Sequence, residues 1–295
     1  MILILGMPDD PSVARVLEVA RARHIECVIL NDAVPWQMES AFEMWGGPYK
    51  GYLYSGDLKW NFDDFSGIYT ISMNVVDRST GIKFLERREL IHAVMHDWLE
   101  ETPIPVLNRG GTLGYNWSKP YQSQRIMRSG FLVPPTLISN DPSEVLAFHR
   151  EYGRVVYQTI GVQGAVMREW RGEKLQDLER LRSWPMQFQA WMASPAIRVH
   201  VVGSAVFATE IHGDDVEYRT SQVTRMAPMH LPLDVSDKCL DLSAQLGLPL
   251  CGIDLKQSKD GDYYCLEVNP SPAYSHFEAA TGQPIAAAIV DYLAG

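Results

Sequence analysis

Asp254, Glu267 and Asn269 are the residues whose types and spacing most directly suggest chemistry. Two apolar-alternating runs, Cys251 to Gln257 and Tyr263 to Asn269, flank Asp260-Gly261, a dipeptide that favours a two-residue hairpin turn. Closing the hairpin there sets Asp254 directly opposite Glu267, with Cβ atoms about 4.5 to 5.5 Å apart, and Asn269 projects from the same face. Ile253, Leu255, Leu266 and Val268 fall on the other face, which reads as the core side. Opposed carboxylates destabilise a sheet unless something neutralises them. A hard divalent cation does so, and Mg²⁺ is typically held by one or two carboxylates together with substrate phosphates and water. The plain alternative is a solvated hairpin with two surface acids.

Other chemistries find less support. No histidines have HExxH spacing, and no Ser or Cys is bracketed as a nucleophile elbow, which disfavours zinc and triad hydrolases. Gly6-Met7-Pro8-Asp9 matches neither a dinucleotide turn nor a phosphate loop. With 36 acidic against 26 basic residues the formal charge is -10, so no global positive field draws the chain to nucleic acid or anionic lipid. The 4 cysteines are scattered without CxxC spacing and read as reduced thiols of a cytoplasmic protein. No apolar run approaches the ~18 residues of a membrane helix, and the first residues lack the basic flank of a signal peptide.

The positioning elements follow from periodicity. Ile2 to Leu5 suits a strand covered on both faces, Asp10-Pro11-Ser12 opens a helix, and Glu26 to Leu30 is a second strand, the beginning of a parallel α/β sheet. Gly67 to Ile71 is a further strand, and Arg87 to Glu101 has amphipathic spacing through Leu90, Val94 and Trp98. Residues 102–118, with their prolines and glycines, read as a connection. Beyond it come a strand over Val133 to Ser139, a helix capped at Asp141 and running to Tyr152, a strand over Arg154 to Thr159, a flexible loop over Gly161 to Gly164 and a polar helix over Lys174 to Arg182. Gly203-Ser204 turns a hairpin between Val199 to Val202 and Ala205 to Ala208, and Ser236 to Leu246 is helical. The aromatic-rich stretch Trp36 to Tyr54 offers a peptide or partner surface, although such spacing more often marks core.

The segments Gly252-Ile253-Asp254-Leu255 and Leu266-Glu267-Val268-Asn269-Pro270-Ser271-Pro272 resemble the C-terminal metal-binding signature of ATP-grasp ligases, particularly the RimK-like branch. The resemblance covers roughly Lys119 to the C-terminus, supported by Val133-Pro134-Pro135-Thr136 and by Ile197 to Gly203. It implies a mixed α/β and α+β fold: an N-terminal α/β domain over residues 1–115, a central lobe over 116–188, and a C-terminal lobe over 189–295 that carries the metal site. ATP then lies between the two lobes and phosphorylates a carboxylate, and an amine or hydroxyl displaces the phosphate.

By that resemblance Asp254, Glu267 and Asn269 hold Mg²⁺, with Mn²⁺ as a substitute, and Lys119 contacts the nucleotide. Gln187, Phe188, Gln189 and Ala190 occupy the hinge between the lobes, where backbone groups meet the adenine edge and Phe188 or Trp191 packs near its ring; a buried structural strand is the alternative. Arg198 counters phosphate or acyl-phosphate charge, and Arg219 stands on the substrate side. His200 shares the face of Arg198 but reads as a buried core histidine. One departure is Gln158, which stands where the family's central lobe usually supplies a lysine; Arg168 or Arg198 is a candidate to replace the lost charge. The implied activity is ATP-dependent ligation of a carboxylate to an amine or hydroxyl on a peptide, protein side chain or amino acid, by a chain that assembles as a homo-oligomer as many such ligases do. The rival is a degenerate ATP-grasp protein that binds nucleotide or peptide and assists a partner.

Overall fold

A computed structural model describes residues 1–30, 38–43, 50–55, 57–71, 95–110, 118–160, 167–170, 182–192, 195–212 and 225–295. The first third begins β1 (Ile2–Leu5), α1 (Pro11–Ala22) and β2 (Cys27–Leu30), continues through a meander of β3 (Met38–Glu43), β4 (Lys50–Ser55) and β5 (Leu58–Asn61), and closes with β6 (Gly67–Thr70), α2 (residues 95–101) and β7 (Val106–Leu107). The strands β2-β1-β6-β7 form a parallel sheet in that order. The unbroken apolar run of β1 has its expected cause. Ile2 and Ile4 enter one core with α1, while Leu3 and Leu5 enter another with Phe62, Trp98 and Leu99. Asp10 caps α1 by accepting from the amides of Ser12 (2.8 Å) and Val13 (3.2 Å), with Pro11 in the first turn.

Strand β7 lies within the stretch expected to be a plain connection. Two residues are too few to show a period, yet Val106 and Leu107 are buried against β6. Of the helix expected over Arg87 to Glu101, only residues 95–101 are described. Within the aromatic-rich stretch, Leu53 is buried in the core, and the rings of Tyr52 and Tyr54 meet edge to face at 5.0 Å. Trp36 lies outside the described residues, as do the boundary near 116, the loop over Gly161 to Gly164 and nearly all of Lys174 to Arg182.

The middle of the chain comprises α3 (Lys119–Arg128), β8 (Thr136–Ser139), α4 (Pro142–Tyr152), β9 (Val155–Thr159), β10 (Arg168–Trp170) and β11 (Met186–Ala190). Its antiparallel sheet has the order β10-β9-β11-β8. Phe188, Val155, Trp170 and Val145 of α4 form a small core on one face. The boundary expected at 188/189 falls inside β11, whose ladder with β9 runs to Ala190, so the strand stays whole with this sheet.

The last third is β12 (Ala196–Val202), β13 (Ala205–His212), β14 (Arg225–Met229), α5 (Leu233–Leu246), β15 (Leu250–Gln257), β16 (Tyr263–Asn269), α6 (Ser275–Thr281) and α7 (Ile285–Ala294). Gly203 turns the β12–β13 hairpin with φ +57, a backbone state that favours glycine. The sheet order is β14-β13-β12-β15-β16. Ile197, Val199, Val201, Cys251, Ile253 and Leu255 face α5 in one core. On the reverse face Val202 and Leu250 join α6, α7 and the first domain in a shared core. That reverse face changes from apolar to charged over four residues of each strand, from Val202 to Arg198 and from Leu250 to Asp254, and the charged part is the candidate site.

Candidate active site

The acidic hairpin pairs Asp254 with Glu267 and Gly252 with Asn269, as the sequence predicts, although its turn differs. Pairing near the turn matches Gln257 with Tyr263 and Leu255 with Cys265, and the register then shifts between Asp254 and Leu255. The connection is longer than Asp260-Gly261. Ser258 donates its amide to the Asp262 carbonyl at 2.8 Å, and its hydroxyl accepts from the amides of Asp260 (3.2 Å) and Asp262 (3.1 Å). A bulge at Leu266 compensates, since one extra residue on β16 restores the register beyond it. Cys265, fully buried, therefore takes the core position expected for Leu266, which is only partly buried.

A charged row crosses the sheet at this level. Ladder partners run Thr209, Arg198, Asp254 and Glu267 across β13, β12, β15 and β16. Arg198 Nη1 stands 3.1 Å from Asp254 Oδ1, and Lys119 Nζ, from the first turn of α3, stands 2.7 Å from Glu267 Oε1. The two carboxylates are thus balanced by two protein cations, which removes the electrostatic need for a metal that the hairpin alone suggested. Arg198 is buried, and its Nε and Nη1 make no hydrogen bond among the described residues. A buried guanidinium with unsatisfied N–H groups is suited to an incoming oxyanion.

The surroundings fix this row in place. A Cβ on Gly252 would stand 2.8 Å from Arg198 Nη1 and 2.9 Å from Pro272 Cβ, so the absence of a side chain there makes room for the guanidinium. His200, opposite Gly252, is fully buried with both ring nitrogens unpartnered among the described residues, and its ring meets Phe277 at 5.0 Å. Burial foremost, and then the positive charge of Arg198, holds its pKa well below 6.5. The expectation of a buried histidine is met, but its hydrogen bonds are not satisfied.

Two positioning residues escaped the sequence reading. Gln122 of α3 donates Nε2 to the Val268 carbonyl at 2.7 Å and accepts the Val268 amide on Oε1 at 3.0 Å, acting as a strand partner on the outer edge of β16 between Glu267 and Asn269. Its spacing of three from Lys119 puts both on one helix face, a signal that was available. Asn108, just after β7, accepts the Leu250 amide at 3.1 Å and donates to the carbonyls of Leu250 and Pro270, tying the base of the acidic hairpin to the first domain. Nothing in its local sequence marks it.

The residues expected to contact nucleotide divide by face. Gln187 is opposite Gln158 in the β9–β11 ladder, and with Gln189 they lie buried on the face away from α4. Gln189 Nε2 donates to Thr136 Oγ1 at 3.1 Å, while Gln187 Oε1 has no partner among the described residues. Phe188 points the other way into the lobe core, where Tyr157 and Trp170 pack on it, so it does not lie against a purine ring. The four residues Gln187 to Ala190 lie in β11. Strand β11 is paired on both sides, which commits its backbone groups to the ladders, and the Ala190 amide donates to Pro135 O at 2.9 Å. Trp191 instead stacks on the Arg154 guanidinium at 3.8 Å. Arg168 pairs opposite Tyr157, on the face away from Gln158, and so does not replace the missing charge there. Arg219 lies outside the described residues.

The donor set of Asp254, Glu267 and the Asn269 amide is all oxygen, which fits a hard divalent ion that also takes phosphate oxygens. Asn269 Oδ1 accepts the Ser271 amide at 2.9 Å and retains a second lone pair. Among the described residues no group of three His, Cys, Asp or Glu side chains forms a closed metal cage. No described helix is long and apolar enough to cross a membrane. All four cysteines are free, and burial lifts the Cys239 and Cys251 thiols to about 12, so these two are inert as nucleophiles.

A probable alpha-L-glutamate ligase of Vibrio parahaemolyticus is 33% identical over 100 residues, a match that spans 33% of this chain and only 33% of that relative's own length. The solved structure of the ATP-grasp ligase PsnB complexed with a phosphomimetic variant of its minimal precursor, Mg and ADP superposes with a TM-score of 0.82 at 27% identity, covering 99% of this chain and 97% of that one. The macrocyclase MdnC from Microcystis aeruginosa, bound with its precursor peptide MdnA, has a TM-score of 0.83 at 21% identity with complete coverage of both chains, a likeness of fold. The RimK-like ATP-grasp domain matches residues 123–293, more than half of the chain, and the chain belongs to that family.

Proposed function

We propose that this chain is an ATP-dependent ligase that activates a carboxylate as an acyl phosphate and joins it to an amine or hydroxyl, with a peptide as substrate. The observation that carries the reading is the row Arg198, Asp254, Glu267 and Lys119, which sets two carboxylates and two cations on one face of a rigid sheet. A peptide is favoured because PsnB, 27–28% identical over nearly the whole chain, is complexed with a phosphomimetic variant of its minimal precursor, Mg and ADP in one structure and with precursor peptide PsnA2 and AMPPNP in another.

In this reading Asp254, Glu267 and Asn269 hold Mg²⁺, which supplies charge neutralisation to the phosphates. Lys119 and Arg198 exchange their carboxylate partners for phosphate and acyl-phosphate oxygens. Gln158 and Gln187 offer neutral amide groups along the nucleotide. Attack of the nucleophile on the acyl carbon forms the new C–N or C–O bond as the bond between the acyl carbon and the phosphate oxygen breaks, and the nucleophile's proton, or two protons where an amine enters as an ammonium, leaves with inorganic phosphate. Positioning and fixed charge supply most of the catalysis in such a transfer.

The test is incubation with Mg·ATP and synthetic peptides that carry Glu and Asp together with Lys, Ser and Thr. Ligation within one peptide releases ADP and lowers the peptide mass by one water per bond. Absence of both ADP release and mass loss with every peptide contradicts the reading. The second reading, a binding protein without turnover, is favoured by one observation: buried Gln158 faces Gln187 and leaves that sheet face uncharged at this level. Mg·ATP binding without ADP release under these conditions supports it.

A further inference from the structure

We propose that the cavity at the carboxyl ends of β1 and β6 holds the ammonium-bearing side chain of the ligation's nucleophilic partner, a lysine or an amine of similar size; this rests on the ligase reading above. The cavity has a volume of about 130 Å³ and is walled by Asp10, Ser12, Tyr69 and Thr70 from the first domain and by Pro270 and Ser271 from the loop after β16. Its place in the sheet is informative. In the order β2-β1-β6-β7 the chain leaves β1 towards one edge and returns on its other side, so the gap between the ends of β1 and β6 is the switch point where open parallel sheets bind ligands.

Size decides what enters. A cavity of about 150 Å³ accommodates a benzene-sized group, so this one admits a single side chain and excludes ATP or a peptide segment. Charge decides which side chain. Among the described residues of the lining Asp10 is the one that carries charge; its Oδ1 caps α1 by accepting from the Ser12 and Val13 amides, and no described cation pairs with it. Burial pushes the Tyr69 phenol up, leaving it neutral, and the Tyr274 hydroxyl behind it donates to Ser12 O at 2.8 Å. A carboxylate is repelled here and attracted to Arg198, which separates the two substrates by sign. The cavity is also adjacent to the proposed chemistry: Pro270 and Ser271 directly follow Asn269, and Asn108 clamps both Pro270 and Leu250.

The experiment is ligand-observed NMR on the full chain without nucleotide, with n-butylammonium, n-butanol and n-butyrate as probes. The expected result is saturable binding of n-butylammonium alone, weakened at least tenfold by Asp10→Asn and abolished by Ala273→Leu, which fills the mouth of the cavity. Asparagine caps a helix as well as aspartate does, so Asp10→Asn removes charge while keeping α1. Equal binding of butanol, or butylammonium binding unchanged by both substitutions, overturns the assignment. Calorimetry with Mg·ATP on the same proteins separates the two claims. Nucleotide binding without butylammonium binding defeats the cavity and leaves the ligase reading standing, while the converse supports the ammonium site and defeats the ligase reading.

Discussion

Gln122 and Val268 exchange two hydrogen bonds, at 2.7 and 3.0 Å, across the outer edge of β16. Through that pair, the helix that brings Lys119 to Glu267 is locked to the strand that carries Glu267 and Asn269. Gln122→Ala orphans a buried amide and a buried carbonyl, at about 1–3 kcal/mol for each group left unsatisfied. Urea unfolding is expected to show a loss of about 2–6 kcal/mol for the two groups together, with weaker Mg·ATP binding in the folded variant. An unchanged midpoint contradicts the edge-locking role.

Gly252 is expected to tolerate no side chain. Gly252→Ala brings a methyl group to 2.8 Å from Arg198 Nη1 and 2.9 Å from Pro272 Cβ, so the guanidinium or the loop must move. Overpacking of this kind costs about 1–3 kcal/mol. Thermal unfolding reads that loss, and ADP release with a peptide substrate is expected to fall further than stability alone explains. Full activity in Gly252→Ala would show that the position of Arg198 is immaterial.

His200 predicts a pH dependence with a definite sign. Its folded-state pKa lies well below 6.5, so the unfolded chain binds a proton that the folded chain refuses. Stability from this group is complete above about pH 6.5 and declines as pH falls below it, with a slope approaching about 1.4 kcal/mol per pH unit. Partly buried His276, also shifted down, adds to the slope. His200→Leu is expected to flatten the decline between pH 7 and 5, measured as unfolding free energy. An identical slope in the variant means that His200 does not titrate in this way.

Gln158 tests the charge at the nucleotide face. Gln158→Lys places an ammonium opposite Gln187, whose Oε1 has no partner among the described residues. Mg·ATP affinity by calorimetry is expected to rise about tenfold, equivalent to about 1.4 kcal/mol. A decrease would show that this face does not meet phosphate.

Much of the fold was legible because local rules were strong. The both-sided apolar run of Ile2 to Leu5, the Asp10 and Asp141 caps and the Gly203 turn each carry their own signal. The pairing of Asp254 with Glu267 was legible for a weaker reason. The turn was misjudged by a residue because Ser258 closes a longer loop, and the bulge at Leu266 cancelled the error beyond it. A bulge carries no local mark in this sequence, so the core role of Cys265 was invisible. That Phe188 takes the buried-strand alternative was not legible, because an isolated strand does not tell which of its faces meets a helix. The pairing of Lys119 with Glu267 and the Asn108 clamp are contacts between distant segments, and composition and period say nothing about those.

The central claim is that Asp254 and Glu267 hold the metal on which nucleotide binding depends. Calorimetric titration with ATP and Mg²⁺ compares the native chain with the double variant Asp254→Asn, Glu267→Gln, which preserves shape and removes both charges. The account predicts saturable Mg²⁺-dependent binding to the native chain and its loss in the double variant. Equal Mg·ATP binding by the two proteins, or no binding by the native chain at millimolar nucleotide, would contradict it.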